Sequence, residues 1–531
     1  MVFSGLVLLG SALPASGFAQ VPTQEPLRAP SIDICGLNLR LGRHAVCVRR
    51  RISLLPVTEA IPNPAWLIAP LPVELNSAYR SGYPLDRSNG ALWGGRGTGI
   101  ALTGGGMATV DRVTIVVAPV LSFTQNRSFT LPDEILPGQP RGAYPWAPAG
   151  LDWPLRRGVG PRWELFIGDS YVDVPFAVAT TTASAGISTE RLRWGPARRF
   201  PLLFGANGPG FAHAYVRTTS PVRTYVGDFN GEVLWGRATE SAWFGGRVQN
   251  DHRLLGAFQI QWSYEEYVPG LELALSVARH DPLDGGGLGL SRLHRLFLGD
   301  SSDEDAAATS LSMSTFAFRW AFPEDGAEVY GEIGRGDGFL NPIPGVSDTG
   351  LAQVYMLGLS KASLDERGAG WRFSGEVMRQ SLELPQPEGE AAPLPEGRRQ
   401  GHTHDGALLG AWIGPGSNAQ YIALDRLDPA RQYGFFAERV RRDDDTYWRV
   451  HAPAYGFRGH DVEWTLGARA GGWLDLPWIE ATTGPIAISL ESGMSRRKNR
   501  NFVRLDGGRT WEFLREWNFW ADLTLRIDPN W

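Results

Sequence analysis

The sequence predicts an all-β protein, a transmembrane antiparallel β-barrel of about 18 strands with short periplasmic turns and long extracellular loops. Three observations carry that prediction. Apolar and polar residues alternate with a period of two through most extended segments. Charged residues sit in the middle of the polar sets, and short turns alternate with long polar stretches. Successive strand residues point to opposite faces, so such segments are greasy on one side and polar on the other.

Bulk composition does not reveal this. Charged residues are 20% of the 531-residue chain and mean hydropathy is -0.19, values ordinary for a water-soluble protein. After the N-terminus no stretch approaches the roughly 20 apolar residues of a membrane helix, which leaves strands as the way across. The formal net charge of -5 argues against a nucleic-acid partner.

Residues 1–19, within "MVFSGLVLLGSALPASGFAQ", combine an apolar run with the small-residue pattern Gly17-Phe18-Ala19 and are read as a signal peptide. Residues 20–73 are expected to form a Pro-rich periplasmic segment. Export changes how Cys35 and Cys47, the only two cysteines, are read: as one disulfide. Closing that loop would contribute about 3 kcal/mol by the chain-entropy model. Free thiols or a metal pair are the poorer readings, because two ligands do not complete a zinc site.

The barrel is expected over residues 74–531. "RVTIVVAPVLSFT" places Val113, Ile115, Val117, Leu121 and Phe123 on one face. "FQIQWSYEE" groups Phe258, Ile260, Trp262 and Tyr264 against Gln259 and Gln261, and "LELALSVAR" continues the pattern. "SMSTFAFRWAF" and "AEVYGEIGRG" are joined by the turn "PEDG"; "GWRFSGEVMR" sets Trp371, Phe373 and Val377 opposite Arg372, Ser374 and Glu376. The last strand, "EFLREWNFWADLTLRIDPNW", keeps Trp517, Phe519, Leu523, Leu525 and Ile527 on one parity and ends on Trp531. In a soluble sandwich the apolar faces would meet in a core. Here mid-strand charges such as Glu332, Glu376 and Arg526 favour a polar lumen, and strand-end aromatics favour membrane-interface girdles.

Between strands lie Gly-rich, Trp-containing phrases: "ELNSAYRSGYPLDRSNGALWGGRGTGIALTGG", "GLDWPLRRG", "LRWGPARRFPLLFGANGPGFAHAYVRTTSPV", "FPEDGAEVYGEIGRGD" and "HDGALLGAWIGPGSNAQ". From about Glu74 to the C-terminus this ordered series resembles the capsule assembly Wzi family of outer-membrane proteins. The family's "NDGALWQGRG" phrase falls on Ser88 to Gly97, its Trp-Gly-Pro phrase on Trp194, Gly195 and Pro196, followed by Asn207 to Phe211. Its acidic strand falls on Glu328, Tyr330, Glu332 and Asp337, and its late Gly-Pro-Gly on Gly414, Pro415 and Gly416. The chain departs from the pattern at Arg157, Arg193 and Ala197, where Phe, Trp and Gly are usual. Residues 20–73 hold no clear amphipathic helix, so the helical segment that many members carry before the barrel is not expected here.

The resemblance implies an outer-membrane lectin, not an enzyme, that retains capsular or other extracellular polysaccharide. Its other partners would be outer-membrane lipid and the barrel-assembly machinery that reads the terminal aromatic strand. A channel passing small solutes or nascent polymer is the alternative. Sugar binding needs flat apolar faces and planar polar groups. Trp93, Arg96, Trp153, Arg156, Trp194 and Asn207 supply both outside the strands; the same residues would equally serve to fill the lumen and staple turns. Glu328, Glu332, Glu376 and Asp337 are read as lumen carboxylates paired to arginine rather than a glycosidase pair. "HTHDG" places His402, His404 and Asp405 at metal-compatible spacing but reads as a solvated loop, and "RRDDD" from Arg441 as an exposed turn. No metal or cofactor is expected.

Overall fold

A computed structural model describes residues 66–87, 89–132, 142, 144, 151–179, 181–244, 252–283, 311–336, 353–365, 368–380, 400–444, 447–448, 459–474, 486–503 and 514–527. The signal peptide, Cys35 and Cys47, Ser88, Asp337 and Trp531 lie outside the described residues. The first described strand, Trp66–Pro70, precedes Glu74.

One large antiparallel sheet dominates, and it closes on itself. Strand follows strand in sequence order. The last, Arg515–Ile527, then pairs with Val73–Arg80, setting Ile527 opposite Val73 and Trp520 opposite Arg80. Closure matters because hydrocarbon offers backbone groups no partner, so a lipid-facing sheet must have no open edge.

Among the described residues the sheet is divided into 23 segments, more than the roughly 18 strands expected for a chain of this length. The reason is local. Five pairs of adjacent segments are halves of one run, interrupted at Leu71-Pro72, Gly104-Gly105, Ala118-Pro119, Ile167 to Ser170, and Thr219 to Pro221. Proline has no N–H for the ladder. At Gly105 a Cβ would lie 1.8 Å from the Val117 carbonyl oxygen, so only glycine lets the backbones approach.

Tight turns gather at one end: Asp111-Arg112, "PEDG" at 323–326, and Pro429-Ala430. Side chains divide as the alternation predicts. On the closing strand Trp517 and Phe519 are exposed while Asn518 and Trp520 are buried. Trp371, Phe373 and Val377 face outward, and Ser374 and Glu376 inward. Aromatic rings collect at the tight-turn end, with Tyr264 and Tyr267 at 4.6 Å and Trp320 and Phe322 at 5.2 Å. At the opposite end Phe123 and Trp163 lie 4.9 Å apart. Such paired girdles suit the two interfaces of a bilayer.

Candidate functional site

The lumen is filled from the long-loop end by three inward-folded segments, roughly residues 83–93, 191–212 and 400–417. The second is held by strand carboxylates. Glu376 accepts the backbone N–H groups of Arg198 (2.7 Å), Arg199 (2.8 Å) and Phe200 (3.1 Å), and the Tyr330 hydroxyl (2.8 Å). Glu332 accepts those of Ala197 (3.1 Å) and Leu202 (3.0 Å). The Arg199 guanidinium spans Glu438 (2.7 Å) and Glu491 (3.0 Å), and Arg87 from the first segment reaches the same two carboxylates. Buried charges persist when they are paired, and here Arg87 and Arg199 are each paired with both carboxylates.

Gly195 shows why the chain turns inward where it does. Its φ is +87°, and a Cβ there would lie 2.2 Å from Glu332 Oε1. Beyond it Phe200 packs against Trp412 of the third segment, with centroids 6.1 Å apart. The Arg87 guanidinium lies 4.9 Å from the Trp412 ring and 4.3 Å from Trp520. Strand, first segment and third segment thus meet at one layered contact.

The "HTHDG" stretch is not a solvated loop. Thr403–His404 and Ala407–Leu408 form a small hairpin inside the barrel, turned by Asp405 and Gly406 at φ 47° and 70°. His402 Nε2 bonds the Leu203 carbonyl at 2.6 Å and its Nδ1 meets His280 Nε2 at 2.8 Å; His404 Nδ1 accepts the Thr239 N–H at 3.0 Å. Burial pushes both His402 and His404 down to about 4. The apolar run Ala407 to Ile413 is what draws this segment inside. The exposed turn expected at "RRDDD" also needs correction: Arg442 is buried against Glu463 at 3.0 Å. Among the described residues no group of three or more His, Cys, Asp or Glu could hold a metal ion.

The six predicted binding residues divide into two sets. Arg96 staples two loops through the carbonyls of Ser81 and Ser128, and Arg156 those of Asn126 (3.2 Å) and Val159 (2.8 Å). Trp194 is buried edge-on to Phe204 at 4.9 Å, and Asn207 donates to the Leu408 and Gly410 carbonyls. Arg96 and Arg156 are thus staples between loops, and Trp194 and Asn207 hold the plug segments to one another.

Trp93 and Trp153 instead line one cavity at the long-loop end, of about 70 Å³. Tyr83, Tyr144 and Trp412 complete its aromatic wall, and Tyr144 lies 5.3 Å from Trp153. Its polar wall carries Arg442, Arg497 and Arg500; Arg497 is paired with Asp461 and Arg500 with Glu516. The Tyr83 hydroxyl is buried with no hydrogen-bond partner among the described residues, and burial keeps it protonated. Sequence reasoning passed over Tyr83 and Trp412, although both stand in the quoted phrases "SGYPLD" and "GAWIGPG". The volume holds a few waters, well short of the roughly 300 Å³ of a small-ligand pocket. Anything larger would lie across the mouth rather than sink into it.

No family model matches this chain, and no curated protein matches it. Among solved structures it is similar to Wzi, an outer-membrane protein involved in group 1 capsule assembly in Escherichia coli and a carbohydrate-binding β-barrel. The TM-score is 0.53 at 10% identity, over 86% of this chain and 85% of that one. The OccK7 (OpdD) structure of Pseudomonas aeruginosa matches with a TM-score of 0.41 at 11% identity, over 87% of this chain and 99% of that one. The first likeness shows the fold, that of an outer-membrane β-barrel.

Proposed function

We propose that this chain is a bacterial outer-membrane protein that binds capsular or other extracellular polysaccharide and retains it at the cell surface, without catalysis. The observation that carries the reading is the plug: Arg87, Arg199 and the 197–202 backbone lock onto Glu332, Glu376, Glu438 and Glu491 across the lumen. A barrel so filled suits holding a ligand at its mouth better than passing one through. The aromatic and arginine-lined cavity at that mouth fits sugar faces and hydroxyls. The fold shared with a carbohydrate-binding barrel supports the same reading. Affinity would come from many weak contacts along a polymer, each residue offering stacking worth about 1 kcal/mol.

Deleting the gene and measuring cell-bound against released polysaccharide tests the role. A shift toward released polymer is expected, restored by the wild-type gene; unchanged partitioning overturns it. Purified protein in planar bilayers is expected to give no steady open current, and a large one would favour a channel.

A further inference from the structure

A second, larger cavity of about 290 Å³ lies in the wall, away from the mouth. Its origin is a strand kink. Gly168, at φ +70°, sits where a Cβ would be 2.0 Å from the Ala118 carbonyl oxygen. Ser170 Oγ fixes the bend, donating to the Ile167 carbonyl (2.7 Å) and accepting the Ala118 N–H (2.8 Å). Beyond the kink, Arg162–Phe166 pairs with Val120–Thr124 on one edge. Among the described residues no strand pairs with its other edge. The strands that would fill the place, Thr181–Ser188 and His213–Thr218, stop at the level of Tyr171, and the chain between them turns into the lumen. A window is left between Glu164–Ile167 and Arg237–Thr239. Arg162 stacked on Trp243 at 4.2 Å bounds it above.

The lining passes from one side of the wall to the other. Inward-facing Glu74, Asn76, Thr103 and Asn89 form its inner end, and outward-facing Leu165, Ile167 and Arg237 its rim. Leu165 is 74% exposed and Ile167 66%. They belong to the apolar belt just below Trp163, at the interface where a lipid's head meets its tails. Inside, Asp169 is neutralised by Arg191, with Oδ2 2.6 Å from Nη2, and the Asn89 Nδ2 is buried with no partner among the described residues. Leu92 and Ala101 make up an apolar floor.

We infer that this window is a lateral binding site for a single glycolipid, its uncharged sugar head inside the wall and its acyl chain left in the outer leaflet. A sugar hydroxyl can accept from Asn89 Nδ2, the unmet donor of the lining, and can also donate to the Glu74 carboxylate beside the Asn76 amide that already bonds it at 2.8 Å. A sugar carrying a tail is anchored beside Leu165 and Ile167 in the apolar belt, and a tail without a sugar would leave Asn89 Nδ2 unmet. The site rests on the barrel's lying in a membrane, not on polysaccharide retention at the mouth.

The test is native mass spectrometry of the full mature protein carried in amphipol, titrated with dodecyl maltoside, with maltose, or with lauryldimethylamine oxide. One dodecyl maltoside per barrel is expected, with weaker occupancy by the sugarless amphiphile and none by maltose. Asn89→Leu and Leu165→Asp should each lower that occupancy about tenfold. Both variants should keep heat-modifiable gel mobility, which separates a lost site from a lost fold. Equal binding by the sugarless amphiphile, or unchanged occupancy in both folded variants, overturns the proposal.

Discussion

Glu376 shows how much one side chain holds. It accepts three plug amides and the Tyr330 hydroxyl, so Glu376→Ala strands four donors at once. Each buried donor left unsatisfied costs about 1–3 kcal/mol, enough in sum to release the segment. Hydrogen exchange at residues 197–202 should accelerate while the barrel keeps its heat-modifiable mobility; unchanged protection would mean the plug is held elsewhere. Arg199→Met should be milder than a buried-pair deletion usually is, because Arg87 still reaches Glu438 and Glu491. The carboxylates were legible in the sequence as charges on the inner parity of strands. Their partners were not, because Arg198 and Arg199 stand in a phrase with no period, and nothing in one dimension says which loop folds onto which strand. Among the predicted sugar contacts the same ambiguity separated Trp93 and Trp153, which line the mouth, from Trp194, which is core.

At the scale of elements, the period-two alternation identified the strands, and Pro72, Pro119 and Pro221 mark where they break. What stayed hidden was that Gly-rich phrases fold inward. The available signal was an aperiodic apolar run outside any strand, as in "RRFPLLFG" and "ALLGAWIG". Two plug elements should answer acid in opposite directions. His402 and His404 have their pKa lowered by burial to about 4, so the fold favours their neutral forms. Their contribution is full above the ordinary value near 6.5 and is lost as pH falls toward 4. Asp86, in the first plug segment, is raised by burial to about 7. Its ionisation opposes folding increasingly as pH rises from about 4 to 7, so acid favours that segment. Amide protection measured at pH 7 and 4.5 should therefore fall in the 400–412 hairpin and rise at 83–93. A parallel change in both would contradict the assignment, and His402→Gln with His404→Gln should flatten the hairpin's response. Gly195→Ala should loosen 194–204 at any pH, since it forces both a strained φ and a clash with Glu332.

At the scale of the whole molecule, the strands form a closed wall and the inward segments fill the lumen it encloses. If the plug is what makes the lumen impassable, variants that leave the wall intact should change conductance without changing surface binding. Glu376→Ala is the variant to use: it should raise planar-bilayer current from closed to intermittently open while leaving cell-bound polysaccharide near wild type. Trp153→Ala should do the reverse. It strips an aromatic face from the mouth, and on the proposed function the loss of about 1 kcal/mol per contact would be multiplied along a polymer bridging many barrels. Such cells should release polysaccharide into the medium while their purified protein stays electrically silent. The two readouts moving together in both variants would mean that polymer is held within the lumen rather than across its mouth, because only a ligand threaded past Arg199 and Trp412 would feel the plug and the aromatic wall alike.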